Sequence, residues 1–252
     1  MVKAIRKLLV RTLGFERYIR FVSRVYLRLV GAGWGRTKYP ELFFLQKIIR
    51  PGFVCLDIGA NLGYYSVALS RLVGPRGKVL AVEPIPQFQA IWQDNVQLSG
   101  VPNLTLLPYA LGSENTTVQM GTPERDGLLH HGMTKVAASS TETYARTYDV
   151  PMRRPDELLA DLPRLDFVKC DVEGFESVVF ENMQATLRRF RPLIQTELNG
   201  LANRRAVVAL LAEMGYKPFV LSARFELEPC TAAQLESHVT ADFYFQPTSP
   251  AA

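Results

Sequence analysis

Residues 54–66, VCLDIGANLGYYS, constrain the fold more than any other stretch of the chain. A short apolar run ends at Asp57, Gly59 and Gly63 flank a turn, and a helical period begins at Tyr64. Glycine permits the tight turn and lets a ligand approach the backbone closely. The same strand-then-helix rhythm continues downstream. The patterning predicts strands at 53–56, 78–82 and 104–107, with helices at 64–72 and 86–98, the second carrying Pro86 in its first turn. Order weakens over 112–164, where a short strand at 117–120, a loop rich in Gly, His, Ser and Thr, and a small helix at 156–160 are expected. Strands at 165–170, 192–196, 217–221 and 243–246 and helices at 177–189 and 204–214 complete the pattern. Such alternation implies an α/β fold, a mainly parallel sheet with helices on both faces. A length of 252 residues suits one large domain of this kind, and the hydrophobic (48%) and charged (21%) fractions are ordinary for a globular protein.

The charge is unevenly placed. Residues 1–36 hold nine Lys or Arg and one acid, Glu16, for a net +8, while the other 216 residues carry 20 basic and 23 acidic side chains, for −3. The high pI therefore does not describe a basic groove, and no nucleic-acid partner is expected. Within 2–30 two apolar faces, Val2-Ile5-Leu8-Leu9-Leu13 and Ile19-Val22-Tyr26-Leu29-Val30, are separated by Gly14. This predicts a basic, amphipathic helical extension (1–36) ahead of a main domain (37–252), with Gly31, Gly33 and Gly35 as a hinge. Its apolar faces pack on the domain, join a second copy in a homo-oligomer, or lie in the headgroup region of a membrane. No apolar run approaches the roughly 18 residues that span a bilayer, and no secretory signal is evident. Three scattered cysteines build neither a disulfide framework nor a zinc site. The expected location is cytoplasmic, extending to the inner face of the membrane.

In open parallel sheets ligands bind beyond the carboxyl ends of the strands. The turn at 57–63 is neither G-x-G-x-x-G nor a P-loop, which suits a ligand without phosphate. Asp57 there can receive an ammonium or order the loop. Glu83-Pro84 ends the second strand, where an acid can accept the hydroxyls of a ribose. Tyr109-Ala110-Leu111-Gly112 follows the third strand and can flank an adenine. Together these describe an adenosine bearing an amino-acid tail, S-adenosylmethionine. A second cluster, FVKCDVEGFE (167–176), places Asp171, Glu173 and Glu176 around Gly174 after the fourth strand. Glu176 is expected to order the following helix.

LDIGANLGYYS, AVEPIP, PYALGS, LDFVKCDVEGFESVVF and RPLIQTEL, in that order over roughly residues 51–200, resemble the FkbM family of S-adenosylmethionine-dependent methyltransferases. The resemblance implies the class I (Rossmann-like) methyltransferase fold with a seven-stranded sheet. It also implies O-methylation of a hydroxyl on a sugar, a glycolipid or a related natural product. Position by position, it implies that Asp57, Gly59, Ala60, Asn61, Gly63 and Tyr64 line the methionine part. Glu83, with Pro84 beside it, would hold the ribose, Ala110 and Leu111 would flank adenine, and Asp171 would lie near the amino group and the transferring methyl. An aliphatic hydroxyl needs a general base or a metal to lose its proton at neutral pH. Asp171, Glu173 and Glu197 are the carboxylate candidates, and Asp171 with Glu197 can alternatively hold a Mg²⁺-type ion. His130-His131 is a further candidate base, and Tyr144 and Tyr148 are candidates to contact a sugar. An alternative is a non-catalytic adapter that keeps the fold and docks through its basic end.

Overall fold

A computed structural model describes residues 2–125, 128–137, 143–237 and 241–248. The main sheet has eight strands: β1 (Val54–Ile58), β2 (Lys78–Val82), β3 (Leu104–Leu107), β10 (Phe167–Cys170), β11 (Leu193–Glu197), β12 (Tyr216–Leu221), β13 (Leu227–Pro229) and β14 (Asp242–Pro247). Their spatial order is β3-β2-β1-β10-β11-β14-β12-β13. The first five are parallel, β14 runs antiparallel to both β11 and β12, and β13 is a short antiparallel edge. The expected seven strands are thus extended by β13. It is three residues long and ends in Pro229, so it has no apolar period of its own and exists by pairing with β12.

The strands that read as apolar runs are buried on both faces, as helices on each side of a parallel sheet require. Cys55, Phe167, Val168 and Cys170 are fully enclosed. Helices α4 (Tyr64–Val73), α5 (Pro86–Ser99), α7 (Glu176–Glu181), α8 (Gln184–Phe190) and α9 (Leu201–Glu213) supply the layers. The single helix expected at 177–189 is two, broken at Asn182-Met183. The cause is tertiary. Asp156, on the short helix α6 (Pro155–Leu158), accepts the N–H groups of Ala185 and Thr186 and so caps a fresh N-terminus. Helix α10 (Ala232–Ser237) packs beside α9.

Three parts lie outside the alternating pattern. Helices α1 (Val2–Leu13) and α2 (Phe15–Gly31) meet at Gly14, where φ is +77°. The inward face of α2 is docked on α5: Tyr18, Ile19 and Ser23 are buried, and Arg20 and Arg24 reach Asp94. The expected hinge at 31–35 leads into α3 (Pro40–Ile48), whose Leu42–Leu45 run is buried throughout. Between β3 and β10 a second sheet, β4-β9-β5-β8, is built from β4 (Ala110–Leu111), β5 (Thr116–Thr122), β8 (Lys135–Val136) and β9 (Arg146–Arg153). A small separate hairpin, β6 (Glu124–Arg125) with β7 (Leu128–Leu129), follows β5 in the chain. Among the described residues, no helix is long and apolar enough to cross a membrane.

Candidate active site

The carboxyl ends of β1, β2, β10 and β11 open into a cavity of about 600 Å³. That is in the range that encloses a cofactor-sized ligand. α2, α3, the second sheet and the 3-10 turn at 131–133 close it from the sides, contributing Tyr26, Glu41, Met120, His131 and Val136 among others.

The glycine loop is set by close packing. Gly59 stands at φ +80°, and a Cβ there would lie 1.9 Å from the carbonyl oxygen of Asp171. Its N–H and that of Ala60 donate to Val82 O (3.0 and 2.9 Å), joining the ends of β1 and β2. Gly63 also has positive φ, and a Cβ on it would press on the Trp92 ring at 2.9 Å. Gly63 is not among the residues that line the cavity, and its lack of a side chain lets α4 start against α5. Asp57 orders the loop. It is buried, accepts the Ser66 hydroxyl at 2.5 Å, and Ser66 in turn accepts Trp92 Nε1–H at 2.9 Å. Burial pushes its carboxyl up to about 6.

Glu83 is aimed back across the loop. Its two carboxylate oxygens accept the backbone N–H groups of Asn61 and Ile85, both at 2.8 Å. Burial raises it to about 7, against the pull of those two N–H groups. Each oxygen keeps a further lone pair, so the group remains able to accept a ribose hydroxyl. Pro84, Ala110 and Leu111 line the same end of the cavity, as expected, with Tyr109 and Phe88. Asn61 and Tyr64 also line it. Asn61 is held by His131, whose Nδ1 lies 3.0 Å from Asn61 Oδ1 while its carbonyl accepts Asn61 Nδ2–H at 3.3 Å. Burial, with Arg6 and His130 nearby, lowers His131 to about 4. Its ring stays neutral at neutral pH and serves to position the loop. His130 does not line the cavity; its N–H donates to Pro123 O.

The other end is acidic. Asp171, Glu173 and Glu197 line it as predicted, joined by Glu41 from α3 and Asp242 from β14. Register explains the last: Asp242 pairs with Glu197 across β14 and β11. Lys169, one residue inside β10 and opposite Asp57 in β1, sits among them with only 3% of its side chain exposed. Its ammonium lies 3.3 Å from Asp171 Oδ2 and 5.0 Å above the Tyr65 ring. Burial opposes its charge, but Asp171, Asp242, Glu197 and Asp57 together hold its pKa above the ordinary lysine value. The carboxyls respond in kind. Burial first, and then Asp171 and Glu197, push Glu173 up to about 8. Burial and Asp171 push Glu197 up to about 7, although Asn199 donates to it at 2.9 Å. Burial raises Asp242 to about 6 and raises Glu41.

Glu176 belongs to the scaffold, as expected of it. It is fully buried and accepts the N–H groups of Val172 (2.9 Å) and Gly174 and the amide of Asn203 (2.6 Å). This fixes the turn that carries Glu173 in a left-handed conformation, φ +56°. Among the described residues no group of three His, Cys, Asp or Glu is placed to hold a metal ion. The cation beside Asp171 is Lys169. Tyr144 stacks over Gly121 and Tyr148 packs into the apolar cluster under the second sheet, so neither lines the cavity. Much of the expected Gly/His/Ser/Thr-rich loop, residues 126–127 and 138–142, lies outside the described residues.

Sequence reasoning missed Lys169, Glu41 and Asp242 as site residues. A lysine inside the apolar run FVKC was a legible signal, since a buried charge demands partners. Glu41 had none, because α3 itself was not foreseen.

The strand order, with its antiparallel β14 inserted beside β12, and a ligand cavity beyond the parallel strand ends define a class I methyltransferase fold. A putative rRNA-methylase from Clostridium thermocellum shares that fold over 84% of this chain and 95% of its own, with a TM-score of 0.51 at 9% identity. Residues 57–218 match the family model of the Methyltransferase FkbM domain, and the chain belongs to that family. It is also similar to protein-L-isoaspartate O-methyltransferases. One from Aeropyrum pernix is 43% identical over 65 residues, 26% of this chain and 25% of the relative. One from Triticum aestivum is 32% identical over 63 residues, 25% of this chain and 27% of the relative. The chain thus spans about a quarter of the length of the curated relatives it matches.

Proposed function

We propose that the protein is an S-adenosylmethionine-dependent O-methyltransferase acting on a hydroxyl of a sugar, a glycolipid or a related natural product. The observation that carries this reading is a single cavity with two chemically distinct ends: Glu83 beside an apolar slot at one, and a carboxylate cluster with one lysine at the other. The first end fits the adenosine part of the cofactor. Glu83 accepts ribose hydroxyls, and Ala110, Leu111 and Phe88 offer apolar surface to a base. When bound, S-adenosylmethionine supplies an electrophilic methyl on a good leaving group. Asp171 stands where β10 ends, next to the glycine loop, and is oriented by Lys169.

The second end receives the acceptor. Glu173 takes the hydroxyl proton as the new O–C bond forms. A base with a pKa near 8 is stronger than an ordinary carboxylate, and about a tenth of it is ionised at neutral pH. The negative charge of the neighbouring carboxylates argues against a carboxylate acceptor of the isoaspartate kind, which would enter beside Asp171, Glu197 and Asp242. Hydroxyl groups, which donate hydrogen bonds to carboxylates, suit this lining. The matched relatives are named for transfer to oxygen, and oxygen is what the lining favours.

Titration calorimetry with S-adenosylhomocysteine is the first test. Micromolar binding is expected, and Glu83→Ala should weaken it at least about tenfold. A glycoside and glycolipid panel with labelled cofactor then reads the acceptor. Folded protein that binds no S-adenosylhomocysteine would overturn the reading.

A further inference from the structure

Seven of the nine exposed large apolar side chains among the described residues lie between Leu8 and Trp34. They are not scattered. At about 100° per residue, Phe21, Val25 and Leu29 of α2 form one outward stripe, and Arg17 and Arg28 form a row directly beside it, together with Arg24, which is paired with Asp94. Phe21 is 59% exposed, Leu8 of α1 is 61% exposed, and Trp34, just past α2, is 51% exposed. The opposite face of α2 is occupied, because Ile19 and Ser23 are buried against the domain. The outward stripe is therefore not the core-facing side of a helix awaiting its domain. It is a second apolar face on a helix that is already docked.

We propose that this face seats the protein on a bilayer surface that carries anionic lipid. An apolar stripe flanked by arginines is what an in-plane helix presents to the headgroup region, with Trp at the level of the headgroups. Charge separates lipid from the other occupants. Residues 1–36 carry +8 and the rest of the chain −3, so the attraction to an anionic surface is directional. A second copy docked antiparallel on this same face about a two-fold axis would set one arginine row against another. The placement also ties the surface to the cavity: Val22, between the stripe and the buried face, and Tyr26 both line it. A chain seated in this way holds that side of the cavity next to the lipid. If the methyl-transfer reading holds, its hydroxyl acceptor is membrane-linked; the docking itself does not depend on that reading.

Co-sedimentation of the full chain tests the docking. Vesicles of phosphatidylcholine alone are compared with equimolar phosphatidylcholine and phosphatidylglycerol, at low and high salt. The chain should pellet with the mixed vesicles at low salt and stay largely in solution with the neutral ones. Phe21→Ser with Leu29→Ser should cut binding at least about tenfold. Arg17→Gln and Arg28→Gln should each cut it about fivefold. None of these four side chains lines the cavity, so thermal melts and S-adenosylhomocysteine affinity should be unchanged and report folding. Folded wild-type protein that ignores the mixed vesicles would overturn the proposal. So would binding that both sets of variants leave intact, or a dimer in sedimentation velocity that the Phe21 and Leu29 changes dissolve, since a second copy would then be the occupant.

Discussion

Gly59 rests against the carbonyl of Asp171, so the ends of β1 and β10 are spaced by a residue without a side chain. In Gly59→Ala the new methyl meets backbone at 1.9 Å, with φ held at +80°. Neither strand can yield without losing ladder hydrogen bonds. The variant should lose about 2–3 kcal/mol in urea unfolding, as an overpacked site does, and S-adenosylhomocysteine affinity should fall with it. Glu173 makes a different demand. It occupies a left-handed turn and is pushed up to about 8 by burial and by Asp171 and Glu197. If it is the base, kcat/KM should rise with pH and level off above about 8. Glu173→Gln keeps the shape, should cost about a hundredfold or more, and should remove that inflection. An inflection moved to about 7 in both proteins would assign the base to Glu197 instead.

The seam between α2 and α5 carries element-scale order into the site. Asn95 is buried on α5 and donates to Leu62 O at 2.8 Å and to Ser23 Oγ at 3.1 Å. It thus ties α2 and the glycine loop to one helix. Asn95→Ala leaves both acceptors unpaired, and should cost about 1–3 kcal/mol and weaken S-adenosylhomocysteine binding by way of the loop. Titration with matched chemical denaturation checks both. Apart from β13 and α10, the strands and helices of the main sheet were legible because they have a clean period or a punctuating Gly or Pro. Helix α3 was not. PELFFLQKI sets its four buried apolar residues, Leu42–Leu45, in unbroken succession, so it has no amphipathic signature. Strand β9 was missed for the opposite reason: RTYDVPMR carries charge and Pro151, and is a strand only through its pairing with β5. The site followed the same rule. Asp57, Glu83, Asp171, Glu173 and Glu197 end strands or follow them and could be read from sequence. Glu41 and Asp242 enter the cavity through a helix without a period and an antiparallel register, both tertiary facts.

At the scale of the molecule, one cavity concentrates carboxyls whose folded pKa values all exceed their ordinary ones: about 6 for Asp57 and Asp242, about 7 for Glu83 and Glu197, about 8 for Glu173. A raised carboxyl holds its proton in the folded chain after the unfolded chain has released it. Stability is therefore greatest at low pH and is lost as pH rises through the folded values. His131 works the other way below its ordinary value, because it stays neutral in the fold down to about 4 while the unfolded chain takes up a proton. Lys169, held above the usual lysine range, contributes evenly across this interval. Above about 6.5 the histidine contribution is constant and the glutamates alone set the slope. The melting temperature of the ligand-free protein should then fall steadily from pH 6.5 to about 8.5. S-adenosylmethionine, cationic at sulfur and nitrogen, should flatten that fall by favouring the ionised carboxylates. S-adenosylhomocysteine, lacking the sulfonium, should flatten it less. Differential scanning calorimetry of the three states reads the comparison directly. A ligand-free melting temperature that is level or rising over that range would mean that Glu83, Glu173 and Glu197 are already ionised, and that the cavity does not hold its protons for the cofactor to displace.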